Sequence, residues 1–248
     1  MSETKTASNH VAVSATQEGR DVTLRPLNSA IGPDGLVKYD LLLQDSSDLD
    51  HNIEVISSYS DLDPVGKFTQ KDLAFYCNAY NMWCLSLACK KLRKTKGTWK
   101  GNVGYLDKAS MFYFSTVVVA GMKMNLLKLE NDIIRKYNDP RIHFAINCAS
   151  WSCPRLPQRM FEGELLDTQF DERAKKFINR DGGVIVKDGK VSVNPIFKWF
   201  KADFEEGGGV IAFINKYIQG EAIDSDAKIA YQDYDWSLNS TKNVKNSK

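Results

Sequence analysis

The run from Gln70 to Leu92, QKDLAFYCNAYNMWCLSLACKKL, constrains the fold more than any other stretch. Leu73, Cys77, Tyr80, Cys84 and Leu87 recur at helical spacing and form one apolar stripe. Thr69 stands where an N-cap is needed, with Asp72 three residues on, a pattern that satisfies otherwise orphan amides. KKLRKTKG then places positive charge and a glycine stop at the carboxyl end. The basic run is thus read as a favourable helix terminus rather than a nucleic-acid patch. Across the chain 33 basic residues face 31 acidic ones. No global field draws the protein to nucleic acid or to an anionic membrane.

Other elements are legible along the chain. Val11, Val13, Val22 and Leu24 flank a Gln-Glu-Gly turn and suggest a small hairpin. A helical period runs through Leu49, Ile53 and Ile56. MFYFSTVVVAG reads as a strand. Asn125 is placed to cap a helix through Tyr137, ended by Asn138-Asp139-Pro140. LLDTQFDERAKKFIN is amphipathic, and VIVKDGKVSVN is a hairpin around Asp188-Gly189. Asn194-Pro195 opens a short helix, and VIAFINKYI is the last. The expected organisation is an N-terminal extension, partly disordered, over 1–35, one domain over 36–220 and a polar C-terminal tail over 221–248. Tyr231, Tyr234 and Trp236 of the tail are candidates for docking back. The fold class is α+β: a helix-rich single domain around a small, mostly antiparallel sheet holding 142–147 and the 184–193 hairpin.

Three features carry chemistry. In the 125–137 helix, Leu126, Ile133 and Tyr137 lie within roughly 20° of one axis. Glu130 falls inside that apolar stripe, whereas Lys128, Asp132, Arg135 and Lys136 take the solvent side. A carboxylate on a buried face needs a partner or a raised pKa. It is either a structural ion pair or a group that orients a histidine or acts as a base. Asn78 and Asn81 interrupt the long helix beside Tyr80, although asparagine competes with the helical backbone. They either brace a loop or meet a ligand. Third, HFAINCASWSCP (143–154) reads as a strand end. Alternation puts His143 and Asn147 on one side, with Cys148 at the corner. An imidazole beside such a thiol lowers its pKa and makes a nucleophile. The ordinary alternative is a buried, inert thiol, for Cys153 more than for Cys148.

Five cysteines with no signal-like apolar start point to reduced thiols and a cytoplasmic setting. Cys77, Cys84 and Cys89 are read as packing. Cys148, Cys153 and His143 give at most three clustered ligands with no second pair, so neither a metal nor another cofactor is expected. Apolar stretches are too short to span a membrane.

These blocks resemble a known family, the domain-of-unknown-function family numbered 547. The resemblance rests on LAFYCNAYNMWCL, on MNLLKLENDIIRKYNDPRIHFAINCASWSCPRL, and on VNPIFKWFKADF with GGGVIAFINKYI. It covers residues of about 36 to 218. It implies functional positions at Asn78, Tyr80, Asn81, Glu130, His143, Cys148, Cys153, Lys198, Trp199 and Asp203. In plant-type relatives the position of Cys153 can be serine while that of Cys148 stays cysteine, which favours Cys148 as the relevant thiol. The histidine is less regular among them.

Together these readings lead to a thiol-dependent hydrolase or transferase acting on an acyl or amide bond of a small molecule or peptide. Cys148 is the nucleophile, His143 its base and Glu130 the orienting group, with Asn78 or Asn147 available to an oxyanion. The alternatives are a non-catalytic binding module, or an acid–base enzyme using Glu130 and His143 with Cys148 only lining the pocket.

Overall fold

The computed structural model describes residues 16–17, 20–21, 23–63, 67–187 and 190–243. Its organising element is α3, Gln70–Lys94, capped as expected by Thr69, whose hydroxyl accepts from the Asp72 amide. The stripe from Leu73 to Leu87 is buried, and so are Ala74, Phe75, Ala79 and Met82 on the other faces. A helix apolar on every side belongs in the middle of a core. Around it pack α1 (Tyr39–Gln44), α2 (Ser47–Ser58) and α4 (Tyr105–Ala109), which runs on as a π turn over Ser110–Phe114. Leu24, Leu27, Ala30 and Ile31, from the segment read as an extension, pack into the same core.

MFYFSTVVVAG divides where a strand was expected. Its first half is the π turn, and only Val117–Val119 (β3) is extended, paired antiparallel with Met122–Met124 (β4). Asn125 caps the next helix, its Oδ1 accepting from the Lys128 amide at 2.8 Å. That helix is α5 (Leu126–Lys128), then a π turn (Leu129–Ile133), then a 3₁₀ turn (Ile134–Tyr137). Asn138 ends it in the left-handed conformation, φ 55°.

The next segment corrects the sequence reading. Ile142–Ala145 is a single helical turn, α6, not a strand, and 142–147 belongs to no sheet. Asp139 accepts from the Arg141 amide through its side chain and so starts the turn. Residues 142 to 147 are all buried, so neither period leaves a polar face, and a short apolar run of that kind does not reveal its period. Ile142, Ala145 and Ile146 enter the core around α3, whereas Phe144 enters a second core. That second core is built by α7 (Leu166–Ile178), β6 (Lys190–Val193), α8 (Ile196–Trp199) and α9 (Gly209–Tyr217).

The hairpin is present, with β5 (Val184–Lys187) antiparallel to β6 in the register Val184↔Val193; its Asp188-Gly189 turn lies outside the described residues. A third strand, β7 (Ile229–Tyr231), pairs parallel to β6. At the N-terminus Thr16–Gln17 (β1) pairs antiparallel with Arg20–Asp21 (β2), while Val11, Val13 and Val22 lie outside the described residues. The sheets are small and the chain helix-rich α+β, as expected. Among the described residues no helix is long and apolar enough to cross a membrane.

After β7 the chain crosses back over the 148–154 loop. The amides of Trp151 and Ser152 donate to Ser237 and Asp235, and that of Asn239 to Ala149. Gly101 sits beneath this crossing at φ +111°, where a β-carbon would stand 2.4 Å from the Leu238 nitrogen. Phe144 is fully buried against Phe177, Phe197 and Phe213. Phe144→Ala is therefore expected to cost about 3–5 kcal/mol in urea denaturation.

Candidate active site

A cavity of about 250 Å³ opens where the two cores meet. Glu130, His143, Cys148 and Cys153 all line it, so the three residues expected to act together do share one pocket. Their pairing differs from the expectation.

His143 is oriented by Asp203, not by Glu130: Nε2 lies 2.7 Å from Asp203 Oδ2. Arg135 grips the same carboxylate from the other side, Nε to Oδ2 at 2.8 Å and Nη2 to Oδ1 at 2.6 Å. Burial alone would raise the Asp203 carboxyl, but the hydrogen bonds from His143 and Arg135 outweigh it and hold it well below the usual carboxylate range. The imidazole is 1% exposed and stacked on Phe200 at 3.8 Å. Burial lowers its pKa, and the opposing pull of Asp203 does not cancel that. A neutral ring bonded to a carboxylate through Nε2 carries its proton there. Nδ1 then holds the lone pair; it is buried and has no partner among the described residues, so a water must be admitted beside the ring to reach it.

Glu130 meets Tyr80, whose hydroxyl donates to Oε2 at 3.3 Å. Burial pushes the Glu130 carboxyl up to about 7; Tyr80 and Arg135 lower it only in part. Its place on the cavity agrees with the predicted stripe, but the helix does not keep that phase. Leu126, Leu129 and Ile134 are fully buried, while Ile133 and Tyr137 are only partly so. The π turn inserts one residue and rotates the rest of the helix by about 100°. That rotation also brings Arg135 inward to Asp203, where an unbroken wheel puts it in solvent.

Cys148 is not a free thiol. It is joined to Cys153, with their Cα atoms 6.2 Å apart. The reading of five reduced thiols is corrected accordingly: Cys77, Cys84 and Cys89 are free and buried. Burial raises all three, Cys89 to about 11, so none is poised to react. The closure follows from the loop. Asn147 receives the Ala149 amide on Oδ1 and donates Nδ2 to the Pro154 carbonyl at 2.5 Å, while Ala149 turns through φ +58°. That folds 148–153 back on itself and brings the two sulfurs within reach. The Tyr234 hydroxyl lies 3.3 Å from one sulfur and 3.1 Å from the other.

The asparagines brace. Asn78 exchanges two hydrogen bonds with the backbone of Phe161, and Asn81 bonds the Ala145 carbonyl and the Asn147 amide. None of Asn78, Asn81 and Asn147 lines the cavity, so none is placed to serve an oxyanion there. Lys198 is exposed over Tyr231 and does not line the cavity. Trp199 does, in a mutual cluster with Tyr234 and Trp236 at 4.5–5.5 Å between ring centroids, and Lys108 lies 3.9 Å over the Trp236 ring. The docking of Tyr234 and Trp236 was foreshadowed by the aromatic residues in a polar tail, whereas Arg135, Lys108 and Phe200 left no signal. Among the described residues no three His, Cys, Asp or Glu side chains are grouped to hold a metal ion.

Residues 67–178 match the family model described as Protein of unknown function, DUF547. The DUF547 segment is shorter than the 36–218 span of the resemblance. It contains α3, Glu130, His143 and both bridged cysteines, but not Asp203, Trp199 or Tyr234, which complete the cavity. No curated protein and no solved structure matches the chain.

The raised Glu130 gives a stability test. Its folded pKa of about 7 lies above its ordinary 4.5, so the folded state binds the proton more tightly. Stability from this group is complete below 4.5 and is lost as the pH rises through 7. Glu130→Gln is expected to exceed wild type at pH 8 by on the order of 2 kcal/mol, and to match it at pH 4, in urea denaturation at both values.

Proposed function

We propose that the cavity is the active site of a hydrolase acting on an acyl or amide bond of a small, largely apolar molecule, with water as the nucleophile. His143 Nδ1 takes a proton from the water, Asp203 stabilises the imidazolium that forms, and Glu130 in its protonated state gives a proton to the leaving atom. One observation carries this reading: two titratable groups on one apolar cavity are displaced in opposite directions, the carboxylic acid upward and the imidazole downward. That displacement makes the carboxyl the acid and the imidazole the base near neutral pH. The rings of Trp199, Tyr234 and Trp236 would hold a flat apolar group by stacking.

A second reading is supported by the position of Cys148, which lines the same cavity. Reduction of its bond to Cys153 would release a thiol there and return it to the role of nucleophile. Hydrolysis of a panel of chromogenic aryl esters and anilides separates the two. With water as nucleophile, kcat/KM falls as the pH rises through about 7, because Glu130 loses its proton. Glu130→Gln then loses about 10²-fold or more, while the double variant Cys148→Ser, Cys153→Ser keeps its activity with or without reductant. Activity that appears only with reductant and disappears in Cys148→Ser overturns the water reading in favour of the thiol. Ligand binding without turnover of any kind would make the protein a binding module.

A further inference from the structure

A second cavity, of about 240 Å³, shares Pro154 with the first but has the opposite character. Arg155, Arg173, Lys176 and Arg180 line it against a single carboxylate, Asp34. Asp34 is already engaged, its Oδ1 accepting from the Leu36 amide at 3.0 Å. The three guanidinium groups spend their hydrogen bonds on carbonyls rather than carboxylates. Arg180 donates to Cys153 and Ser152, Arg173 to Arg155, and Arg155 to Trp151. Among the described residues none of the four cations has a carboxylate within ion-pair distance. Nε of Arg173 and Nε of Arg180 are both buried donors without a partner among those residues.

This arrangement is costly as it stands. Buried cations are ordinarily paired, and an unpaired buried donor forfeits the hydrogen bond it made in water. The cost shows in the groups themselves. Burial first, then mutual repulsion, pulls Arg180 down to about 9, and burial pulls Arg173 down to about 10, unusually low for guanidinium. An anion would supply what is missing, since the guanidinium fork suits tetrahedral oxyanions. The enclosed size selects a small anionic group over a protein segment.

We propose that this cavity is a binding site for the phosphate or diphosphate group of a small molecule, held by the guanidinium groups of Arg173 and Arg180 and by the ammonium of Lys176. Because Arg180 also holds the carbonyls of Ser152 and Cys153, the anion would sit one residue layer from the disulfide loop. The site does not depend on the reaction proposed for the first cavity.

Calorimetric titration and thermal denaturation with inorganic phosphate and pyrophosphate test it, against sodium chloride at matched ionic strength. One saturable site and a rise in Tm beyond the chloride control are expected. Lys176 is exposed and makes no ion pair among the described residues, so Lys176→Gln should keep the ligand-free Tm while losing at least tenfold in affinity. Arg173→Gln removes an uncompensated cation; it should hold or raise the ligand-free Tm and abolish the pyrophosphate response. Pyrophosphate acting no better than chloride, or binding both variants as it binds wild type, overturns the proposal. Binding confined to vesicles of anionic lipid, with none to the free anions, overturns it as well.

Discussion

A single buried turn of helix, Ile142–Ala145, belongs to both hydrophobic cores at once. Ile142 and Ala145 pack with α3, while Phe144 packs among the phenylalanines of α7, α8 and α9. His143 stands between them, so its ring must end at the seam where the cores meet. A seam between two separately packed bodies is where close packing most readily leaves a void, and the aromatic cavity lies there. Arg135 and Asp203 close the seam from its two sides: one comes from the helix before α6, the other from the 3₁₀ turn after α8. The ion pair that joins the bodies is thus the same group that fixes the imidazole.

The bridged loop performs a related task in covalent form. Cys148 and Cys153 close a tight turn braced by Asn147, while the returning chain at 235–239 covers it. Asn81 and Asn239 add hydrogen bonds at the base, to the Asn147 amide and to its side-chain oxygen. The amide and side chain of Asn147 are therefore consumed in shaping the wall of the cavity. Two cavities of opposite character flank Pro154 at the end of this loop, one apolar with a raised carboxyl, the other dense with cations. The tail that completes the first cavity lies beyond the DUF547 segment, so the site is assembled by more of the chain than the matched family segment contains.

What could be read from the residues and what could not divides on physical lines. The long helix, its Thr69 cap and the 184–193 hairpin were legible because periodicity and turn chemistry are local. Glu130 was legible because a carboxylate in an apolar stripe is anomalous whatever the tertiary fold. Its relation to His143 was not, because the π turn shifts the helical phase and sends Arg135 inward. The wheel puts Ile133 inward where Ile134 is the residue fully buried, and one inserted residue accounts for that difference. Asp203 was marked through a motif, yet its pairing across 60 residues left no local trace. The strand assigned to 142–147 failed because a segment buried on all sides has no period to read.

The proposed chemistry rests on the state of one imidazole. The ¹⁵N chemical shifts of the histidine rings, monitored from pH 5 to 9, report it directly, and only three histidines need assignment. The arrangement predicts that His143 is a single neutral tautomer with its proton on Nε2, and that it titrates below the ordinary 6.5. A proton on Nδ1, or an imidazolium that persists above that value, would contradict it.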